Sequence, residues 1–298
     1  MNRFLQIQSN AFFVIAMMTI AWHYMVADKL GTSNLFVLIL LIAFFGVPHG
    51  SLDALFAKKA FALITRRDWF KFVGLYLCLS MAVLIFWLRL PTIFFVLFLG
   101  FSALHFSDDI SDISPKLISF LYGCNIILLP SILHSDQLAL LYGYLIDNND
   151  AIAIVRLMRP FAMATMLLSA LLTVRFYLKK QLIHTRPLLE ITAVSLLVFV
   201  VKPLLAFTIY FCFMHSARHL LRAKFYFKDD SNKHFLFTLI LPTLFVLIFC
   251  VGIFQLLPTQ NVDENLVKVT FAALAALTFP HAFLLSKVGF LKWLKSSY

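Results

Sequence analysis

Residues 34–57 read NLFVLILLIAFFGVPHGSLDALFA, with Asp53 as the one charged side chain, and Lys58 and Lys59 follow at once. As a helix at roughly 1.5 Å per residue the stretch rises about 36 Å. That is enough to cross a hydrocarbon core about 30 Å thick, in which no open strand or bare loop satisfies its backbone. Working outward, apolar runs recur at 11–27, 70–89, 91–106, 116–134, 158–177, 187–202, 203–221, 234–257 and 265–286. Together with 34–57 they predict an all-α, polytopic integral membrane protein of about ten transmembrane helices. Arg89-Leu90-Pro91 and Lys202-Pro203 each require a tight reversal between spans, and 187–202 is short for a full crossing.

Composition points the same way. Of 298 residues, 62% are hydrophobic and 13% charged, which excludes a water-soluble domain. The net charge of +11 would suit a nucleic-acid partner only if it formed a patch on a soluble surface, whereas here the basic residues sit between apolar runs. With Arg3 inside, nineteen of the 25 Lys and Arg fall on the cytoplasmic side, leaving Lys29, Arg89, Arg156, Arg159, Lys202 and Lys268 outside. Both termini are then cytoplasmic, and the basic excess answers to topology and to the anionic lipid bilayer rather than to nucleic acid. The location expected is the bacterial cytoplasmic (inner) membrane. Cys78, Cys124, Cys212 and Cys250 lie singly in apolar runs with no CxxC pair, so neither a disulfide framework nor a zinc ribbon is indicated. The first run reads as an anchor rather than a cleaved signal, so the mature chain is expected to begin at Met1. Residues 1–298 read as a single membrane-embedded helical domain without an internal repeat. QLALLYGYLIDNND, within the connection 135–156, reads as a short amphipathic helix on the outer face.

Ionisable groups inside spans are costly and mark function. Four of the nine histidines, His23, His134, His184 and His234, fall at span ends or in connections. The other five are His49, His105, His215, His219 and His281, on four spans that all run from outside to inside. The first-met histidine of each lies roughly 11 to 16 residues from the outer end, about 16 to 24 Å deep, in one layer of the inner leaflet. His215 and His219 are four residues apart and project from one face, the spacing with which two imidazoles grip one ion. Each histidine alone could be a donor to a neighbouring helix. As a set they point to a shared metal site, with imidazole suiting Fe, Zn or Cu and not Mg or Ca. Asp53, four residues after His49, is expected to orient a ligand imidazole, and Asp108 and Asp109 stand one turn after His105 with the same option or a hydrated loop start. Glu190 is expected at the inner interface. Gly46, Pro48 and Gly50 around His49, and Pro280 before His281, weaken two of these helices locally.

PHGSLD at 48–53, LHF at 104–106 and YFCFMHSARH at 210–219 resemble the Brp/Blh family of integral-membrane β-carotene 15,15'-dioxygenases, from the second apolar run to the last. The resemblance implies a non-haem Fe(II) held by His49, His105, His215 and His219. It also implies a Pro280-His281 pair belonging to the catalytic surroundings together with Asp53, and β-carotene and O2 as substrates. Retinal would be the product, with a microbial rhodopsin as its recipient. The chain differs from the family pattern at Ala54 and Ser107, neither of which removes a histidine from the set.

Other functions remain open to the residues alone. A di-iron desaturase or hydroxylase also binds metal through histidines, in HxxxH and HxxHH clusters, and no HH pair exists here. A haem protein would use two of these histidines as axial ligands, and a carotenoid or retinoid carrier would use them without chemistry.

Overall fold

The structure, a computed structural model, describes residues 2–26, 35–178, 185–258 and 261–296. Lys29, Lys179, Lys180 and His184, which the sequence reading puts in connections, lie outside them. The described residues contain no strand. Among the described residues, nine helices are long and apolar enough to cross a membrane: α1 (Arg3–Met25), α2 (Leu35–Phe61), α3 (Arg66–Arg89), α4 (Pro91–Ile110), α5 (Lys116–Leu133), α7 (Asn148–Phe176), α9 (Pro203–Tyr226), α10 (Asn232–Leu256) and α11 (Val262–Val288). Between them lie α6 (Ser135–Gly143) and α8 (Thr185–Val200), and α12 (Phe290–Ser296) follows. The protein is thus an all-α, polytopic membrane protein.

The expected tenth span is α8, whose 16 residues rise only about 24 Å. It nevertheless runs alongside α1 and α5, parallel to both. At one end His134, at the close of α5, donates from Nε2 to the Val200 carbonyl of α8 at 2.9 Å, and its ring is 6.3 Å from that of His23 at the end of α1. At the other end Glu190 accepts from Ser9 of α1 at 2.6 Å, and Phe4 meets Phe225 of α9. So α1, α5 and α8 are parallel and α9 runs against them, the alternation that the basic-residue count requires.

Local sequence explains the breaks. Pro91 and Pro203 open α4 and α9, where a missing N–H costs nothing, so both tight reversals form as expected. Thr65 and Asp68 make a reciprocal capping box at the start of α3. Ala62 (φ 47°) and Gly289 (φ 70°) take left-handed backbone after α2 and α11. Of the stretch 137–150 expected to form an amphipathic helix, Gln137–Gly143 lies in α6, whereas Asn148 already opens α7.

The core is built from α1, α5, α8 and α9 around Tyr122, Val194, Leu197, Tyr210 and Met214, all shielded from the surface. Helices α4 and α5 approach closely at Gly123, where a Cβ would stand 1.9 Å from the Ala103 carbonyl oxygen. A second cluster, with Leu52, Phe56, Ala223, Leu284 and Phe290, ties α2, α9, α11 and α12 together just beyond the histidines. In contrast, α10 leaves Leu241, Phe245, Ile248 and Leu256 exposed, as a lipid-facing helix does.

Candidate metal centre

Two departures from regular helix aim the histidines. In α2, Ile42–Gly46 is a π-helical turn, followed by Pro48, which has no N–H to give. In α9, Phe211–Ser216 is a second π turn, and it carries His215. Such turns hold an extra residue, are costly in isolation, and gather at functional sites. The two pack on each other. The carbonyls that the first turn leaves free find partners: Ser216 donates to Phe45 and Gly46 at 2.6 and 3.1 Å, and His49 Nδ1 donates to Gly46 at 2.6 Å. The weakening expected around His49 is therefore real and compensated, whereas α11 continues unbroken through Pro280.

All five histidines predicted to share a layer are brought together and buried. His49 has its ring centre 5.0 Å from His215, 5.5 Å from His219 and 5.2 Å from His281. His105 is 5.0 Å from His215 and 5.7 Å from His281, and His219 is 5.0 Å from His281. The ligand nitrogens of His49, His105 and His281 all lie within 4.8 Å of one another. His281 thus stands inside the cluster, not beside it.

Hydrogen bonding shows which nitrogen faces inward. His215 Nδ1 meets Asp109 Oδ1 at 2.9 Å, and His281 Nδ1 meets Asp53 Oδ1 at 2.6 Å. A carboxylate or carbonyl oxygen only accepts, so in His49, His215 and His281 the proton is on Nδ1 and the lone pair on Nε2. Nε2 of His105, His215, His219 and His281 is buried without a hydrogen-bond partner among the described residues. An unmet buried polar atom costs about 1–3 kcal/mol, and several lone pairs converging on one point repel. A cation there removes both penalties, and an all-imidazole donor set fits Fe, Zn or Cu.

The acids sort differently from one another. Asp53 is buried and orients an imidazole as expected, but that imidazole is His281 from α11. Asp109 is buried and holds His215, while Tyr210 donates to its other oxygen at 2.6 Å. Glu190 is buried inside the bundle and gripped by Arg218 at 2.7 and 2.9 Å, because Arg218 is itself buried and a guanidinium there must be paired. Arg218 also reaches Gln8, Ser9 and the Asp109 carbonyl. Sequence reasoning counted Arg218 and Arg222 as loop charges, and it passed over Tyr76 and Tyr210. The available signal was position: Arg218 lies between His215 and His219, on the helix that supplies both.

An apolar cavity adjoins the cluster. It is lined by His49, His105 and His215 together with Phe95, Phe98 and Leu99 of α4, Phe207 and Phe211 of α9, Phe271 of α11, and Leu138 and Tyr142 of α6.

Comparison with known proteins gives two matches. A family model described as Beta-carotene 15,15'-dioxygenase matches residues 40–288, which holds all five histidines and both aspartates. A curated protein named Beta-carotene 15,15'-dioxygenase, from an uncultured marine bacterium 66A03, is 26% identical over 262 residues, covering 82% of this chain and 90% of that protein. No solved structure matches.

Proposed function

We propose a reaction on the premise that the family match supplies: the chain belongs to the β-carotene 15,15'-dioxygenase family. The protein cleaves β-carotene at its central 15,15' double bond with O2, giving two molecules of all-trans-retinal, on an Fe(II) held by His49, His105, His215 and His219. One carbon–carbon double bond is lost and two carbonyls form. Each carbonyl takes one oxygen atom of O2, and the alkene supplies all four electrons, so no outside reductant is needed. The observation that carries this reading is the gathering of buried, unpartnered imidazole nitrogens beside an aromatic-lined cavity.

The side chains have separate tasks. Phe95, Phe98, Leu99, Phe207 and Phe271 take a hydrocarbon chain and keep water from the reacting bond. His49, His105 and His215 border the same cavity, so position along the cavity selects the bond presented to them. Asp109 keeps the His215 lone pair pointing inward. Fe(II), when bound, would activate O2 toward a closed-shell polyene with which it otherwise reacts only slowly. Substrate enters sideways from the bilayer of the bacterial inner membrane, and retinal leaves by the same route, toward a microbial rhodopsin where the host has one.

The test is expression in bacteria that accumulate β-carotene. Loss of orange colour with appearance of retinal is expected for the unmutated chain and not for His215→Ala. Persistent colour beside well-expressed unmutated protein would overturn the assignment.

A further inference from the structure

We propose that His281 is a fifth ligand of the metal centre and that Asp53 and Tyr76 hold it in that role. The inference rests on the reading above, in that it takes the histidine cluster to bind one ion. It changes the membership of the ligand set.

Two relays of the same chemistry reach the cluster from different helices. On one, Tyr210 donates to Asp109, and Asp109 accepts from His215 Nδ1. On the other, Tyr76 of α3 donates to Asp53 Oδ2 at 2.8 Å, and Asp53 Oδ1 accepts from His281 Nδ1 at 2.6 Å. In both, a phenol takes one carboxylate oxygen and leaves the other for the imidazole, which fixes the ring and its tautomer. Metal-ligating histidines are supported in this way. If the first relay serves a ligand, the second has the same form and the same destination.

The rival role for His281 is to donate a proton to substrate. Its geometry opposes that, because the one proton of a neutral ring is already given to Asp53, and Nε2 holds a lone pair that meets no donor. What Nε2 offers is electron density, and it offers it beside His49 and His105. The three ligand nitrogens lie within 4.8 Å of one another, close enough for small ring movements to bring them onto one ion. His281 is also buried between the side chains of two other helices, with its ring 5.0 Å from His219 and 5.2 Å from His49, a position inside the cluster and away from the cavity wall.

The experiment uses the full chain in detergent, stripped of metal and loaded with Co(II), whose ligand-field absorption strengthens and shifts when a ligand is lost. Affinity is read by competition with a chelator. His281→Ala is expected to intensify the absorption and to weaken Co(II) binding by more than about 100-fold, with added imidazole restoring the original spectrum. Asp53→Asn, which keeps the side-chain volume, is expected to weaken binding about 10- to 100-fold, and Tyr76→Phe by less. Should His281→Ala fail to fold, Asp53→Asn decides by the same two readouts. Unchanged spectrum and affinity in these variants, with both altered in His215→Ala, would overturn the fifth ligand and leave the metal reading standing. A wild-type chain that binds neither Co(II) nor Fe(II) would overturn both.

Discussion

Asp109 and His215 are joined at 2.9 Å across the α4–α9 contact, and the carbonyl of the same aspartate is held by Arg218 at 3.0 Å and Arg222 at 2.8 Å. One residue at the end of α4 is therefore fixed through side chain and backbone by the helix whose histidine it orients. Asp109→Asn leaves one acceptor oxygen where Tyr210 and His215 both need one, so a donor must go unmet or the ring must turn. Iron affinity is expected to fall about 10- to 100-fold. Metal content measured at limiting iron checks this, and unchanged loading would refute it.

The Arg218–Glu190 pair is buried with its hydrogen bonds met, and its value differs according to how it is broken. Arg218→Met leaves Glu190 with only the partly exposed Arg186, at 3.2 Å, as counter-charge, and breaking a buried pair by removing one partner costs up to about 3–5 kcal/mol. Removing both charges, in Arg218→Met with Glu190→Leu, strands neither. The single variant is expected to melt well below the wild type and the double variant to recover most of the loss, as seen by thermal unfolding in detergent. A double variant no better than the single one would mean that the pair's other partners, Gln8 and Ser9, carry the effect.

Much of the architecture was legible because the bilayer leaves few choices: length, hydropathy and the side on which Lys and Arg gather locate the helices, and even the two one-residue reversals at Pro91 and Pro203 follow. Gathering of the five histidines was legible because depth could be counted along each span. The pairing inside the site was not. Asp53 stands four residues after His49, a spacing that reads as one helix face, but α2 turns at Leu52, whose ψ of −3° leaves the helical value, and Asp53 meets α11 instead. The two π turns have no sequence signature of their own, since an extra residue in a turn depends on what packs against it. Arg218 and Glu190 lie 28 residues apart, and only the close antiparallel course of α8 and α9 makes them partners.

Gly46 and Phe211 join the two π turns. A Cβ on Gly46 would stand 2.5 Å from the Phe211 ring, inside any tolerable contact. Gly46→Ala therefore pushes the ring and with it the turn that carries His215. Overpacking of this kind costs about 1–3 kcal/mol, and retinal yield per folded protein should fall further than stability, because His49 and His215 both move. Phe211→Leu in the same chain makes room. A double-mutant cycle on melting temperature is expected to show the two substitutions coupled. Strict additivity would mean that the contact is relieved elsewhere.

The cavity makes a separate demand from the histidines, and the two can be pulled apart. Leu99 lines the cavity from α4, less than two turns before His105, and packs against α6 and α7 without touching the cluster. Leu99→Trp fills that space with a rigid ring while leaving every imidazole and its partner in place. Iron content is then expected to match the wild type, whereas retinal formation from β-carotene falls about 100-fold, the penalty for holding a reacting bond an ångström or so out of position. Comparison of iron loading and retinal release in the same preparation checks both halves. Full turnover in Leu99→Trp would show that the polyene reaches the histidines by another path, and loss of iron would show that this wall supports the metal centre.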